Sequence, residues 1–369
     1  MRWDTLSAPH DREVLPGAAP AVGAAPAAPP LPLGLPEAVS RTFDTPGFAG
    51  MTFFEINAKS IINQVRGSSR VPFEWTINPY RGCSHACSYC FARNTHTYLD
   101  LDAGLDFDTK VIVKVNAAEL LRRELAAPSW AGGPIAMGTN VDCYQRAEGR
   151  YRLMPEIISA LRDAGNPFSI LTKGTLILRD LPLLREAARA APVSLAMSIG
   201  FVDEALWRAV ESGAPSPARR LATVRTLVDA GFSVNVLMAP ILPGLTDDEE
   251  SIDATVAAIA QAGAASVVPL PLHLRPGARE WYAAWLGRTF PELVGHYRAL
   301  FRSGSYLPQS YQREVVARVR MAARRHGLSP ADPGATRRVD GAVTTDGEAP
   351  GRAPAHPGGQ GGPVQLALL

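Results

Sequence analysis

Residues 80–90 read Tyr-Arg-Gly-Cys-Ser-His-Ala-Cys-Ser-Tyr-Cys, which places three cysteines, Cys83, Cys87 and Cys90, within eight residues. Their C-x3-C-x2-C spacing lets three thiolates converge on one metal centre from a single loop. A cubane iron–sulfur cluster has four corners, so three cysteines leave its fourth iron with an open position, as in a catalytic metal site. The spacing therefore favours a [4Fe-4S] cluster and an enzyme.

Three other interpretations of the same residues are open. Zinc would find four ligands in the three cysteines and His85, although zinc sites usually use two separated ligand pairs and Cys83 to His85 is a very short step. A dithiol redox pair, Cys87-x-x-Cys90, would leave Cys83 unexplained. The third interpretation is a coincidental grouping of cysteines in a folded core.

Composition sets the frame for this motif. The chain has 369 residues, of which 46% are hydrophobic, enough for one large domain or two ordinary ones. The net charge of +2 argues neither for nor against a nucleic-acid partner. We find no apolar run long enough to span a bilayer and no secretory signal pattern at the start, so we expect a cytoplasmic protein without a membrane partner.

Low-complexity segments bound the ordered region. Residues 17–36 are nearly all Ala, Pro, Gly and Leu, and the end of the chain is rich in Gly, Pro, Ala and charged residues. Such compositions cannot build a packed core. We predict disorder over 1–40 and 329–369, an N-terminal extension over 41–70, a core domain over 71–275 and a C-terminal helical extension over 276–328.

Short β-rich runs alternate with helical patterns inside the core. The runs are Phe73–Asn78, Pro134–Asn140, Phe168–Thr172, Val193–Ile199, Phe232–Ala239 and Ser266–Leu272. Glycines 165, 231 and 263 each stand just after a helical pattern, where a helix C-terminus favours them, and Thr246 with Glu249 looks like a capping box. Six strands alternating with helices predict a parallel α/β sheet, open or closed into a barrel, with its site at the carboxyl ends of the strands.

The cysteine motif, with the aromatic Tyr89 before its third cysteine and a β/α series after it, resembles the radical S-adenosylmethionine (SAM) superfamily. The resemblance implies a partial (βα)6 barrel and a cluster whose open iron binds the amino and carboxylate groups of SAM. It also implies reductive cleavage to a 5′-deoxyadenosyl radical that abstracts a hydrogen atom from a substrate. A reductant such as a flavodoxin or ferredoxin would supply the electron.

Further motifs narrow the resemblance to the branch containing spore photoproduct lyase. Residues 138–145 read Gly-Thr-Asn-Val-Asp-Cys-Tyr-Gln and resemble that branch's Gly-Thr-x-Thr-Asp-Pro-Tyr-Gln, with Glu148 just beyond. Lys173 and Ser198, at the ends of strand runs, match positions that help to hold SAM in the lyase. Val141 and Cys143 depart from the pattern, since Thr and Pro are common there.

Candidate cofactor-binding residues follow from this match. Lys173 offers a cation to the methionine carboxylate, and Ser198 and Thr139 offer hydroxyl groups. The resemblance adds three more residues to the candidate SAM site: Tyr89, Asn140 and Asn235. Plainer alternatives are a solvated side chain for Lys173 and hydroxyls that satisfy backbone groups for Ser198 and Thr139. Asp142 would alternatively be a helix-start cap, and Glu148 a surface charge.

The fourth cysteine and several polar residues near strand ends are candidates for the substrate side. Cys143 would donate a hydrogen atom to a product radical, or else it is a small buried hydrophobe. Possible substrate-binding residues are Arg93, His96, His273 and Arg275, of which Arg275 suits an anionic group. Arg93 and His96 would alternatively tie down the cluster loop, and His273 would be structural.

Three functional hypotheses result. The first is a radical SAM enzyme of unassigned substrate, and the second, narrower one is a DNA photolesion lyase. The third is a non-catalytic, metal-stabilised binding protein. DNA is the partner that the branch suggests. The arginine-rich pattern over 313–325 would suit phosphates, although such a pattern is more often a solvated helix face.

Overall fold

The computed structural model describes residues 37–65, 71–331 and 339. Its strands are β1 (Val39–Arg41), β2 (Thr52–Ile56), β3 (Ile62–Gln64), β4 (Trp75–Ile77), β5 (Tyr80–Arg81), β6 (Lys110–Lys114), β7 (Ile135–Met137), β8 (Phe168–Thr172), β9 (Val193–Ser198), β10 (Val234–Ile241), β11 (Ser266–Pro271) and β12 (Ser329–Pro330). Its α-helices are α1 (Leu105–Thr109), α2 (Ala117–Leu125), α3 (Arg146–Tyr151), α4 (Leu153–Asp163), α5 (Leu181–Ala190), α6 (Glu204–Val210), α7 (Pro217–Asp229), α8 (Glu249–Gln261), α9 (Ala278–Thr289), α10 (Val294–Leu300) and α11 (Gln309–Arg325). The described residues also form 3-10 helices at Pro46–Phe48, Phe91–Leu99, Thr175–Asp180 and Pro291–Leu293.

The main sheet has the strand order β12-β11-β10-β9-β8-β7-β4-β3, and every pair except β3–β4 is parallel. Five of the six predicted runs contain one of its central strands and the sixth, Phe232–Ala239, overlaps β10, so the prediction of a partial (βα)6 barrel is confirmed. Apolar residues predominate in most of these runs because helices cover the sheet, and five of the six residues of β9 are buried. Parallel strands bring their carboxyl ends to one edge, which is where the site lies.

Helices of the barrel end largely as expected. Gly165, Gly231 and Gly263 all adopt the left-handed backbone conformation that favours glycine after a helix. The prediction of a capping box at Thr246 is wrong. Helix α8 begins after Asp248, whose side chain accepts a hydrogen bond from the Ser251 amide. The Thr246 hydroxyl instead accepts from the Leu242 amide and closes the preceding turn.

A second sheet, which the sequence did not predict, carries the start of the cluster loop. Its order is β1-β2-β6-β5, and β5 pairs antiparallel with β6 through Tyr80 opposite Val113. The chain therefore leaves the barrel sheet after β4 and joins this small sheet before it reaches the cysteines. The pairing fixes the direction in which residues 82–90 enter the carboxyl edge of the barrel.

The termini of the described region also differ from expectation. The segments predicted to be disordered lie almost wholly outside the described residues, but residues 39 and 40 belong to β1 and residues 329 and 330 to β12. The region after β11 was predicted to be helical only, and β12 adds a short strand parallel to β11. Helix α11 packs on α8 and β11.

A second apolar core joins the C-terminal helices to the carboxyl edge of the barrel. It contains Tyr282 and Leu286 of α9, Tyr297 of α10 and Leu206 of α6, all buried. The helices of the C-terminal extension thus border the site. Among the described helices, none combines the length and apolar character that crossing a membrane requires.

Candidate functional site

A cavity at the carboxyl ends of the barrel strands gathers most of the residues that the motifs predicted. All three motif cysteines line it, with Tyr89 beside them. Polar residues from four further strand ends face the same space: Thr139, Asn140, Asp142, Lys173, Ser198 and His273. The opposite wall is apolar and comprises Leu237, Ala239, Pro240, Leu270 and Leu272. One side of the cavity is thus rich in sulfur and charge, and the other suits a flat apolar group.

The three cysteine side chains suit an iron–sulfur cluster. Cys83 and Cys87 are buried, and burial raises the pKa of all three thiols, that of Cys87 to about 12. Binding a metal therefore displaces protons from them. Soft thiolates select iron–sulfur clusters among other soft centres. In the described part of the chain, no group of three His, Cys, Asp or Glu side chains is arranged as it would be around a single metal ion.

The zinc interpretation required His85 as a fourth ligand. The His85 ring is buried beside the cysteines, but its Nδ1 lies 3.5 Å from the Asp142 carboxylate. Burial lowers the pKa of His85, so the ring is neutral at physiological pH. His85 thus contacts Asp142, the residue that ties the neighbouring loops together.

The cluster loop is held by groups from two other parts of the barrel. The Gln145 side chain, fully buried, accepts from the Ser84 amide at 2.9 Å and donates to the Gly82 carbonyl at 2.9 Å. On the other side the Gly213 amide donates to the His85 carbonyl at 3.1 Å, and the Ser88 amide donates to the Val210 carbonyl at 3.0 Å. These bonds fix the loop backbone from both flanks.

Asp142 links two strand ends beneath the cavity. Its carboxylate accepts from the Tyr144 amide at 2.8 Å, the Thr172 hydroxyl at 2.6 Å and the Lys173 amide at 2.6 Å. The loop after β7 and the end of β8 are therefore held together by one side chain. Asp142 closes a turn before α3 rather than capping that helix, whose N-cap residue is Gln145, and it also positions the backbone of Lys173.

Lys173 extends into the cavity between a hydroxyl and a carboxylate. Its Nζ donates to Ser198 Oγ at 2.5 Å and lies 3.5 Å from Glu211 Oε1. The Ser198 hydroxyl in turn donates to the Ala239 carbonyl at 3.3 Å. The lysine side chain is 11% exposed, so its charge faces the cavity with little surrounding water to screen it.

Glu211 and Arg220 were missed by the sequence analysis. Both are fully buried and form an ion pair, and Glu211 also accepts a hydrogen bond from the Tyr89 hydroxyl. Burial opposes ionisation of Glu211, but the nearby cations Arg220 and Lys173 outweigh it and lower its pKa to about 2. The pair thus holds Tyr89 and Lys173 from behind the cavity. Glu211 follows α6 and Arg220 lies in α7, and their short separation along the chain was the only local sequence signal for this ion pair.

Two of the predicted substrate-binding residues do not reach the cavity. Arg93 is fully buried beneath the cluster loop, where it donates to the Cys87 carbonyl and pairs with Asp108. His96 is also fully buried, with Nε2 2.9 Å from the Lys110 carbonyl oxygen. Both side chains tie down the segment after the cysteines, which is the alternative considered for them.

Two more predicted residues lie away from the cavity. Asn235 is the second residue of β10, at the amino end of that strand, and its side chain accepts from the Ser266 hydroxyl at 2.6 Å. Asn235 is not among the residues that line the cavity, because the carboxyl edge begins several residues later. Cys143 is 1% exposed and packs in the main core beside Tyr144, behind the cavity wall. Glu148 is no surface charge, since it is buried and accepts from Tyr80 and Arg179.

The mouth of the cavity carries three rings and a cation. The His273 ring stacks on Tyr306 with centroids 5.7 Å apart and lies 5.8 Å from the Phe91 ring. The Arg275 guanidinium lies over Phe91 at 5.7 Å from the ring centroid. Tyr306 is 51% exposed, so one ring of this group faces outward. Of the four predicted substrate-binding residues, His273 lines the cavity and Arg275 lies at its rim.

Comparisons with known proteins agree with this geometry. A model of the Radical SAM superfamily matches residues 77–255. An uncharacterized protein of Mycobacterium tuberculosis (strain ATCC 25618 / H37Rv) is 53% identical over 279 residues, which cover 76% of this chain and 82% of that protein. An uncharacterized protein of Methanocaldococcus jannaschii is 29% identical over 202 residues, covering 54% of this chain and 72% of the relative. Spore photoproduct lyase complexed with dinucleoside spore photoproduct has a similar fold, with a TM-score of 0.56 and 15% identity over 76% of this chain and 81% of the lyase.

Proposed function

This chain belongs to the radical SAM superfamily and is a radical SAM enzyme, and from that premise we propose which of its residues hold the cofactors. Cys83, Cys87 and Cys90 hold a [4Fe-4S] cluster with one open iron position. Lys173, Ser198, Thr139, Asn140 and Tyr89 surround the SAM molecule that fills it. The observation that carries the proposal is that all eight side chains line one cavity at the carboxyl edge of the barrel.

Charge and shape divide the cavity in a way that suits SAM. When bound, the reduced cluster supplies the electron that cleaves SAM. The Lys173 ammonium binds the methionine carboxylate, and Ser198 fixes the direction of that ammonium through their hydrogen bond. The apolar wall around Leu237, Pro240 and Leu272 accepts the adenine and excludes water from the reacting region.

We further propose that the protein works in the cytoplasm with a flavodoxin or ferredoxin as its electron donor. The superfamily needs an external reductant, and cysteines kept as thiols suit a reducing compartment. In the proposed enzyme all three motif cysteines are ligands of the cluster.

The first test uses anaerobically reconstituted protein. We expect bound iron and sulfide, a change in the visible spectrum on adding SAM, and release of 5′-deoxyadenosine on reduction. Cys90→Ala should lose the cluster. Lys173→Met should keep its iron but need at least about tenfold more SAM for half-maximal cleavage, since a charged hydrogen bond contributes about 1.5–3 kcal/mol.

Lys59→Met is the matched control for Lys173→Met because Lys59 is exposed and outside the cavity. It should leave the SAM requirement unchanged. Zinc without iron in the reconstituted protein would contradict the whole proposal, whereas an unchanged SAM requirement in Lys173→Met would remove only the role of that lysine.

A second, narrower candidate is a DNA photolesion lyase. The rings of Phe91, His273 and Tyr306 with Arg275 at the mouth support it, because stacked rings and a cation suit a base and its phosphate. A lesion would have to leave the duplex to enter the cavity. The test is repair of ultraviolet-irradiated oligonucleotides by the reduced, SAM-supplied enzyme, with unirradiated DNA as the control. Absence of repair despite active SAM cleavage would exclude this candidate.

A further inference from the structure

We propose that Arg93 is a positioning residue whose buried positive charge raises the reduction potential of the cluster held by the neighbouring loop. The inference rests on the proposed function, since it takes Cys83, Cys87 and Cys90 as cluster ligands. Arg93 is the third residue after Cys90 and lies in the first turn of the 3-10 helix Phe91–Leu99, which leads away from the motif. Its side chain has no exposed surface.

The guanidinium directly contacts the backbone of the cluster loop. Its Nε and Nη2 donate to the Cys87 carbonyl at 3.3 and 2.9 Å. Its Nη1 donates to the carbonyls of Ala103 at 3.2 Å and Gly104 at 2.9 Å. A charged donor thus holds the carbonyl of the middle cysteine, and further bonds fix its orientation.

Aromatic rings close the space around this cation. The guanidinium carbon lies 5.2 Å from the centroid of Phe107 and 4.7 Å from that of Trp281. Trp281 belongs to α9, and it packs so closely that a Cβ at Gly104 would lie 2.6 Å from its ring. In such a dry enclosure a charge acts over a longer range than it does in water.

Asp108 neutralises part of this charge. Its carboxylate oxygens accept from Arg93 Nη2 at 2.8 and 3.0 Å. Among the described contacts, the guanidinium bonds to the Cys87 carbonyl directly, whereas Asp108 bonds to the guanidinium. The positive member of the pair is therefore the one in contact with the cluster loop.

The orientation of the pair sets the sign of its effect. Adding an electron makes a cluster more negative, so a nearby positive charge favours the reduced form. Net charge, hydrogen bonding and solvent exposure around the cluster are the protein's means of setting its potential. Arg93 thus makes the cluster easier to reduce, and Asp108 limits that effect.

The test is a potentiometric titration, followed by electron paramagnetic resonance, of the reconstituted protein without SAM. Burial raises the pKa of Asp108 to about 6, so titration at pH 8 keeps its carboxylate charged. Arg93→Met should lower the midpoint potential and Asp108→Asn should raise it. We expect each to change the ratio of reduced to oxidised cluster about tenfold at fixed ambient potential, about 59 mV for one electron.

The opposite signs separate a charge effect from a merely structural one. Arg93→Lys keeps the charge but not the fork of hydrogen bonds, so its shift should be smaller than that of Arg93→Met. The control is Arg162→Met, which removes an arginine paired with Glu186 on the outer surface and should leave the potential unchanged. If Arg93→Met loads too little iron, Arg93→Lys and Asp108→Asn still decide the question.

Shifts of the same sign in both members of the pair, or shifts no larger than that of the control, would overturn the inference. Failure of the proposed function is recognised separately. It would appear as an absence of iron or of 5′-deoxyadenosine in the wild-type protein, before any variant is titrated.

Discussion

Cys143 lies behind the cavity wall with 1% of its surface exposed, among the apolar side chains of the main core. The sequence places four cysteines in the chain, and three of them line the cavity. Cys143 therefore differs from the other three cysteines because it lies behind the cavity wall, not because of its distance from them along the chain.

Replacing Cys143 with alanine tests the hydrogen-donor hypothesis. Because the thiol does not line the cavity, we expect unchanged 5′-deoxyadenosine formation and, on any substrate found, an unchanged product distribution. Loss of the buried sulfur should lower the free energy of unfolding by about 1 kcal/mol, measured by urea denaturation. An altered product distribution would restore the donor role.

Gly213 is the point where a residue of the α6–α7 turn meets the cluster loop. A Cβ there would lie 2.1 Å from the Ser84 carbonyl oxygen and 2.9 Å from that of His85. Gly213→Ala should therefore displace the loop, destabilise the protein by roughly 1–3 kcal/mol and reduce the iron bound after reconstitution.

Gly287 provides the matched control for that substitution. It lies in α9, and an added Cβ there would meet nothing within 4 Å. Gly287→Ala should stabilise the helix by about 0.5–1 kcal/mol and leave the iron content unchanged. Equal iron loading in the two variants would contradict the role assigned to Gly213.

At the scale of elements, the Glu211–Arg220 pair joins the end of α6 to α7 behind the cavity. Arg220 also donates to the Ser198 carbonyl at 2.9 Å and the Pro215 carbonyl at 2.9 Å. Two helices and the end of β9 are thus connected by one guanidinium. Through Glu211, this connection supports the side of the cavity where Lys173 and Tyr89 lie.

Arg220→Met would leave Glu211 buried without its main partner, because methionine fills the space but carries no charge. We expect a loss of roughly 3–5 kcal/mol in the free energy of unfolding. Arg122→Met is the control, since Arg122 and Glu156 form an exposed pair with 48% and 62% of their side chains accessible. Its effect should stay within about 1 kcal/mol, and a similar cost for both would refute the buried-pair argument.

The elements of the barrel could be predicted from sequence because each central strand is a short apolar run bounded by helical patterns. The second sheet could not, since β5 has only two residues and is defined by its pairing with β6. Apolar periodicity needs several residues to be visible, so strands stabilised by pairing alone leave almost no pattern.

Site residues divide along a similar line. Lys173 stands directly after β8, so the rule that parallel strands end at one edge was enough to place it. The cysteines were identified by their motif, but they follow β5, whose antiparallel pairing with β6 was not predicted. Glu211 is important because it accepts a hydrogen bond from the Tyr89 hydroxyl. The two residues are 122 positions apart, and a local sequence pattern cannot reveal a contact over that separation. Asn235 was misplaced because a strand run does not mark which of its residues reaches the carboxyl edge.

At the scale of the whole molecule, acid stability depends on histidines that the fold keeps neutral. Burial lowers the pKa of His96 to about 4 from an ordinary value of 6.5. As the pH falls through 6.5 the unfolded chain takes up this proton first, so stability is lost between pH 6.5 and about 4. Asp108, with its pKa raised by burial to about 6, acts in the opposite direction over much of that range.

Comparing the wild type with His96→Gln isolates the histidine from these opposing groups. Between pH 7 and pH 5 the difference in unfolding free energy between the two proteins should change by about 2 kcal/mol, in favour of the variant at the lower pH. Urea denaturation at both pH values measures it. A difference independent of pH would mean that His96 titrates normally.

The supports of the cluster loop have a consequence for the order in which the protein is made. Synthesis runs from the amino end, and domains fold as their segments emerge. The cluster loop at residues 82–90 leaves the ribosome well before Gln145 and Gly213, which bond to its backbone, and before Trp281, which packs on Arg93. The nascent chain therefore exposes its metal-binding thiols before it can orient them, so correct loading must wait until most of the domain has been translated.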